Sequence, residues 1–314
     1  MTNPNFIIIG AAKAGTTALY ENLKKHPEVF MTEMKEPNFF SLENGSLTWL
    51  EGTVGKGYAE NFIYNFDDYL DLFNDADGKV AIGEASPVYL YDPGASVSIY
   101  ENFPNMKIIV ILRNPAERAF SNFVHHLRIN AETAKNFEKA LKLEDERIRK
   151  NWWWGFHYKQ TGYYFSQLKK YFDLFPKEQI KVVIYDDWLH QPRDTFKEIL
   201  GFLGVKQDFI PNLNKKYKVS SLVKYSTVEK IIKTTDKTVK LIRYFFPKGK
   251  REKVKRNIAG LTNKISDFNR YKPSLNQDTK SKLIKEYMDD IKKLESLTEK
   301  DLSNWYLPYM NEKV

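Results

Sequence analysis

The stretch IIIGAAKAGTTALYENL, residues 7–23, constrains this chain more than any other. A short β-branched run gives way to a loop of small residues carrying one lysine. The loop opens into a helical pattern with Leu19 and Leu23 four positions apart. Residues 6–9 form the continuous apolar run of a strand covered on both faces. Gly10 and Gly15 admit tight backbone geometry, and Ala11, Ala12 and Ala14 leave room around it. Backbone N–H groups at a turn into a helix, with the positive end of the helix dipole behind them, bind a phosphate-like anion. Lys13 adds a full charge, and Thr16 and Thr17 add hydroxyl donors, more chemistry than a packing turn requires.

The glycines have the spacing of the nucleotide-triphosphatase loop G-x-x-x-x-G-K-[ST], but Thr16 stands at the lysine position. The strongest strand pattern, MKIIVILR at 106–113, runs into asparagine and proline rather than a magnesium-binding aspartate. The chain keeps an anion cradle without the expected metal apparatus. That combination favours transfer of a group needing less charge neutralisation than a triphosphate.

Further strands are predicted at 79–84 and 180–188. Helices are predicted at 17–25 (ended by His26–Pro27), 115–128 (opening on a proline whose missing N–H is harmless there), 162–175, 193–205 and 277–293. Alternating strands and helices predict a parallel sheet with helices on both faces. From about 206 the pattern turns basic, with a dense positive run at 240–256. The simplest organisation is one domain over 1–314, with 206–314 as its basic, mainly helical C-terminal part.

A hydrophobic content of 42% in 314 residues suffices for a large core. The net charge of +9 suits polyanionic partners, among them nucleotides, nucleic acid, acidic glycans and membrane surfaces, without choosing between them. Cysteine is absent, which removes disulfides and thiolate metal sites and fits a reducing compartment. The opening MTNPNF carries no basic leader, and no apolar stretch is long enough to span a bilayer. The expectation is a cytoplasmic protein without a transmembrane segment.

KAGTTAL, HPEVF, KEPNFFS, GEASPVYL and ILRNPAERAFSNF follow one another in order, with GYYFSQLKKYFDLFP, DTFKEILGFLGV and DLSNWY after them. Together they resemble the sulfotransferases that use 3′-phosphoadenosine 5′-phosphosulfate (PAPS). The resemblance implies a P-loop-like three-layer α/β fold, with a central, mostly parallel sheet flanked by helices. It implies transfer of a sulfuryl group from PAPS to a hydroxyl or amine, releasing adenosine 3′,5′-bisphosphate (PAP), with no metal required. By its motifs, Lys13 matches the lysine that contacts the bridging oxygen and the sulfuryl group. Ala14, Gly15, Thr16 and Thr17 match the 5′-phosphate loop, Arg113 and Ser121 the 3′-phosphate pair. Lys215, Lys216 and Lys218 fall where the family has a basic loop closing over the nucleotide. An arginine fork suits phosphate oxygens.

On the acceptor side, KEPNFF resembles the segment that carries the catalytic glutamate in glycan-modifying members, which makes Glu36 the preferred base. His125 matches an active-site histidine of the N-sulfating glycan enzymes and shares a helix face with Ser121. Glu84, in GEASPVY, is a second candidate base or an orienter of Lys13 or the acceptor. The chain departs from the family here: it has neither the histidine of cytosolic members nor the lysine that some glycan enzymes place at Ala85. Trp152, Trp153 and Trp154 cannot all face one core; they either line a cleft for a flat ring or sugar face, or split between core and surface. The acceptor is a sugar or glycan, or a small alcohol or metabolite, and the oligomeric state is open.

Two rivals come from other classes. A P-loop kinase or nucleotide hydrolase requires magnesium and a triphosphate, and the displaced lysine speaks against it. A basic nucleic-acid-binding protein binds with steep salt dependence, but it leaves the cradle and the LRNPAERAFS segment unexplained, so no nucleic-acid partner is expected.

Overall fold

The computed structural model describes residues 2–41, 51–52, 62–213, 221–225, 227–228, 262, 265 and 268–310. It divides into two compact units. One comprises Met1–Phe123, Ala134–Lys218 and Leu275–Val314, the other Val124–Thr133 and Val219–Ser274.

The first unit is organised on five parallel strands: β1 (Phe6–Gly10), β2 (Val29–Met31), β3 (Ala81–Ala85), β4 (Lys107–Leu112) and β5 (Ile180–Ile184). Their order is β2-β3-β1-β4-β5. In register, Phe6 lies opposite Gly83 on one side and Lys107 on the other, and Ile108 opposite Ile180. β1, β4 and β5 read as near-continuous Val/Ile runs because both faces are covered. Every residue of β1 and β3 is buried, and Ile108, Ile109 and Ile111 have no exposed surface. Truncating any of these isoleucines to alanine removes about 2–5 kcal/mol of stability. Gly83 is required by close approach: a Cβ there would collide with the Phe6 carbonyl oxygen.

Parallel neighbours need crossover connections. These are α1 (Thr16–Leu23), α2 (Phe66–Asp71), α3 (Ala95–Asn102), α4 (Pro115–Arg128), α5 (Phe137–Lys142), α6 (Glu144–Arg149) and α7 (Tyr164–Leu174). After β5 come α8 (Tyr185–His190) and α9 (Pro192–Leu203), and near the C-terminus α10 (Gln277–Thr298) and α11 (Ser303–Met310). From β1 the chain goes to β2 and β3 on one side of the sheet, then crosses to β4 and β5 on the other. The reversal leaves a crevice outside the carboxyl ends of β1 and β4, the usual ligand position in open α/β sheets.

Two expectations need correction. Residues 180–188 are not one strand: β5 stops at Ile184, and α8 begins at Tyr185 with Asp186 and Asp187 in its first turn. Carboxylates there favour the helix N-terminus. The edge strand β2, three residues long, was not expected at all.

In the second unit, Leu222–Val223 (β6) and Arg270–Tyr271 (β7) pair antiparallel. Asn269 holds this strand pair from its side chain, accepting from the Tyr225 N–H at 2.9 Å and donating to the Tyr225 carbonyl at 3.0 Å. The last residues of α4, from Val124, are grouped with this unit. The basic run at 240–256 lies outside the described residues.

Candidate active site

The loop after β1 is shaped by backbone rather than side chains. Lys13 has φ 69° and Gly15 φ 101°. Gly15 is the N-cap of α1, and no side chain caps that helix or places a carboxylate in its first turn. The first N–H groups of a helix have no intrahelical acceptor, so α1 presents them, with its dipole, to whatever lies at the loop. Ala14 and Thr16 are buried, while Lys13, Gly15 and Thr17 are half-buried. Lys13, Ala14, Gly15, Thr16 and Thr17 thus form one continuous cradle.

Gly15 is glycine for a second reason. A Cβ there would lie 3.3 Å from the ring of Tyr185, the first residue of α8. The same ring lies 4.8 Å from the Arg113 guanidinium carbon. Tyr185 therefore contacts the arginine from beside the cradle, a cation–π arrangement. Its signal in the sequence was hidden by reading YDDW as strand.

Arg113 leaves the end of β4 next to β1. Its Nη1 donates to the Lys13 carbonyl at 3.5 Å, and its own carbonyl accepts from the Tyr164 hydroxyl at 3.0 Å. Its Nη2 donates to Glu117 Oε2 at 3.0 Å. Its Nε is buried without an acceptor. Glu117 and Ser121 are one turn apart on α4, so they share a face. Ser121 is half-buried. Glu117 was not singled out from the sequence. Burial would raise its pKa, yet Lys280 and Arg113 hold it below the usual carboxylate range.

The acceptor-side candidates meet at the end of β3. The segment after β2 runs beside that strand: Thr32 N–H donates to the Gly83 carbonyl at 3.2 Å, and Glu36 N–H to the Ala85 carbonyl at 3.2 Å. Glu36 and Asn38 have φ of 65° and 56°. Asn38 Nδ2 donates to the Glu36 carbonyl at 2.7 Å, and Asn38 N–H to Ser86 Oγ at 3.2 Å. Ser86 Oγ in turn donates to Glu84 Oε2 at 2.8 Å. Glu36 ion-pairs with Lys35, and its side chain is 28% exposed. Glu84 has no exposed surface. Burial pushes its carboxyl up to about 8 against the pull of the Ser86 hydroxyl. At neutral pH it is mainly a neutral acid, tied to the turn that carries Glu36.

His125 belongs to the second unit, where its Nδ1 accepts from Arg128 Nη2 at 3.1 Å. His126 is buried, and its carbonyl accepts from Ala131 N–H at 2.8 Å. Lys215, Lys216 and Lys218 lie outside the described residues. Among the tryptophans, Trp153 and Trp154 are buried, and Trp152 packs on Phe156 and beneath the Arg147 guanidinium at 5.0 Å. This is the core-and-flank alternative. Among the described residues, no group of three or more His, Cys, Asp or Glu side chains could hold a metal ion. No helix among them is long and apolar enough to cross a membrane.

Comparison with known proteins gives the family. The family described as Sulfotransferase domain matches residues 3–272. A crystal structure of a sulfotransferase from Alicyclobacillus acidocaldarius superposes with a TM-score of 0.75 at 29% identity, covering 97% of this chain and 99% of that one. Carbohydrate sulfotransferase 15 of Mus musculus is 27% identical over 251 residues, 64% of this chain and 44% of its own length. Heparan sulfate glucosamine 3-O-sulfotransferase 5 of Homo sapiens is 26% identical over 205 residues, 64% of this chain and 54% of its own length. The chain spans about half the length of these curated relatives. With the family match running from before β1 to the end of β7, this chain belongs to the sulfotransferase domain family.

Proposed function

We propose that the protein transfers the sulfuryl group of PAPS to a hydroxyl or amine acceptor by in-line displacement, releasing PAP. One observation carries this reading: an uncapped helix N-terminus with a lysine in its loop lies against an arginine from the adjacent strand, and the tyrosine ring stacked on that arginine leaves room only for glycine at the helix cap. Two separated anion readers fit a nucleotide charged at both its 5′ and 3′ ends.

PAPS, when bound, supplies an activated sulfuryl group with a good leaving phosphate. Gly15, Thr16 and Thr17 hold the 5′-phosphate through N–H and hydroxyl donors, beside Ala14, whose N–H donates to the Ala11 carbonyl at 3.1 Å and shapes the loop. Arg113, with Ser121, holds the 3′-phosphate through its guanidinium edge. Lys13 places its ammonium where negative charge grows on the transferring group, the electrostatic contribution that dominates such transfers. Glu36 accepts the acceptor's proton as the new bond to sulfur forms. Glu84 is not the base in this reading. Fully buried and mainly protonated, it braces the Glu36 turn through Ser86 and Asn38. His125 remains a candidate contact on the acceptor side, and Lys215, Lys216 and Lys218 candidate donor contacts.

We further propose a sugar or glycan as acceptor. KEPNFF supports it, as do relatives named for carbohydrate and heparan sulfate glucosamine. The reading treats 1–314 as one sulfotransferase domain, its basic 206–314 part included. A cytoplasmic setting is compatible with the cysteine-free sequence. Calorimetry of the full chain with PAP and with ATP plus magnesium tests the donor. PAP should bind and ATP should not compete; tight ATP–magnesium binding without PAP binding would return the chain to the kinase class. Sulfate transfer from labelled PAPS to a panel of glycans and small alcohols tests the acceptor.

A further inference from the structure

Arg113 already holds a carboxylate. Its Nη2 donates to Glu117 Oε2 at 3.0 Å, and the other oxygen of that carboxylate, Oε1, accepts from Lys280 Nζ at 2.8 Å. Lys280 lies on the first turn of α10, 163 positions along the chain from Glu117. The three side chains are 15%, 36% and 17% exposed in the order Arg113, Glu117, Lys280, so the chain of charges is only partly screened. Burial disfavours the Lys280 ammonium, but Glu117 and Tyr309 more than offset this and keep it charged. Tyr309 on α11 also sets its ring 5.6 Å from Lys280 Nζ.

The edge chemistry by which an arginine holds a carboxylate is the same by which it holds a phosphate. An anion arriving at Arg113 therefore meets Glu117 twice, as a competitor for Nη2 and as a like charge. Lys280 weakens both effects. It occupies the carboxylate's second oxygen and neutralises its charge, so Glu117 has less hold on the arginine.

We infer that Lys280 is a positioning residue of the 3′-phosphate site: acting through Glu117, it sets how much of the Arg113 guanidinium is available to the 3′-phosphate of the donor. The inference rests on the reading of Arg113 given above. It makes Glu117 and Lys280 act with opposite signs, whereas a purely structural tie between α4 and α10 makes both losses harmful alike.

The test is calorimetry of the full chain with PAP and with adenosine 5′-monophosphate, which lacks the 3′-phosphate. In the Lys280→Met variant PAP should bind roughly fivefold to tenfold more weakly, the size of a partly exposed charge coupling, with the monophosphate unchanged. Glu117→Gln should tighten PAP by a similar factor. In the Glu117→Gln background, Lys280→Met should have no further effect beyond about twofold, the mark of action through the carboxylate. Lys280→Arg should restore the wild-type preference, and it serves also if Lys280→Met melts early. Weakening by both single variants, or an undiminished Lys280→Met effect without Glu117, overturns the inference. Arg113→Ala separates the two levels. If it leaves the preference for PAP intact, the Arg113 reading itself fails. If it abolishes the preference while Lys280→Met changes nothing, only the inference fails.

Discussion

The cradle after β1 and the turn after β2 lie on either side of the β1–β3 pair and are built by opposite means. The cradle offers charge outward. Its helix N-terminus is uncapped, its first turn lacks carboxylates, and Lys13 and Arg113 are both at hand. The Glu36 turn is held from behind by a buried carboxyl, a serine and an asparagine whose hydrogen bonds run inward. In the proposed reading, the anion-binding half depends on an uncapped helix end beside two cations, and the proton-accepting half on a turn braced from behind. A fault in the phosphate-holding residues should be read as lost binding, and a fault at Lys13 or in the second half as lost turnover.

The sharpest break of that comparison is Glu36→Gln. Turnover should fall by about 10²–10⁴, the range for a general base, with PAP affinity within about twofold of wild type. Near-normal turnover would move the proton to Glu84 or His125. Lys13→Ala should lower turnover by about 10²–10³ with an unchanged melting temperature, measured by single-turnover transfer from PAPS. Arg113→Ala should weaken PAP by roughly ten- to a hundredfold, read by calorimetry, and leave the monophosphate nearly unaffected. Gly15→Ala should reduce stability by about 1–3 kcal/mol, because φ 101° is strained for alanine and the new methyl meets Tyr185; urea unfolding measures it.

The smallest effect tests the braced half. A carboxyl pushed from 4.5 up to about 8 binds its proton more tightly folded than unfolded. Unfolding between those values therefore releases a proton, and stability falls as pH rises through that window. Glu144 at about 7 and Asp290 at about 6 act in the same direction, each because of burial. Wild type should melt several degrees lower at pH 8 than at pH 5, by the usual conversion of free energy to melting temperature. Glu84→Gln, neutral at every pH, should show a visibly flatter profile. An unchanged profile would mean that the folded chain does not hold a proton on Glu84.

The cradle was legible because its chemistry is local: strand, small residues, lysine and helix stand within 17 consecutive positions, 7–23. The strand 107–112 and the helix opening at Pro115 were legible from apolar runs and proline placement. What escaped depends on residues that are distant in sequence or look ordinary. Lys280 reads as any solvated lysine of an amphipathic helix until the fold sets it against Glu117. Glu84 reads as a polar strand-end carboxylate, and only burial reveals it as an acid. Strand β2 is too short for a periodicity, and Tyr185 was absorbed into a strand that a pair of aspartates ends.

Tyr185 has a consequence for donor choice. The ring pressed toward Gly15 is the ring that seats Arg113, so the readers proposed for the 5′ and 3′ phosphates share one wall. Redesign toward a nucleotide with a single phosphate cannot treat the two ends as separate modules. Shrinking position 185 to relax one end slackens the other, and both affinities should drift together.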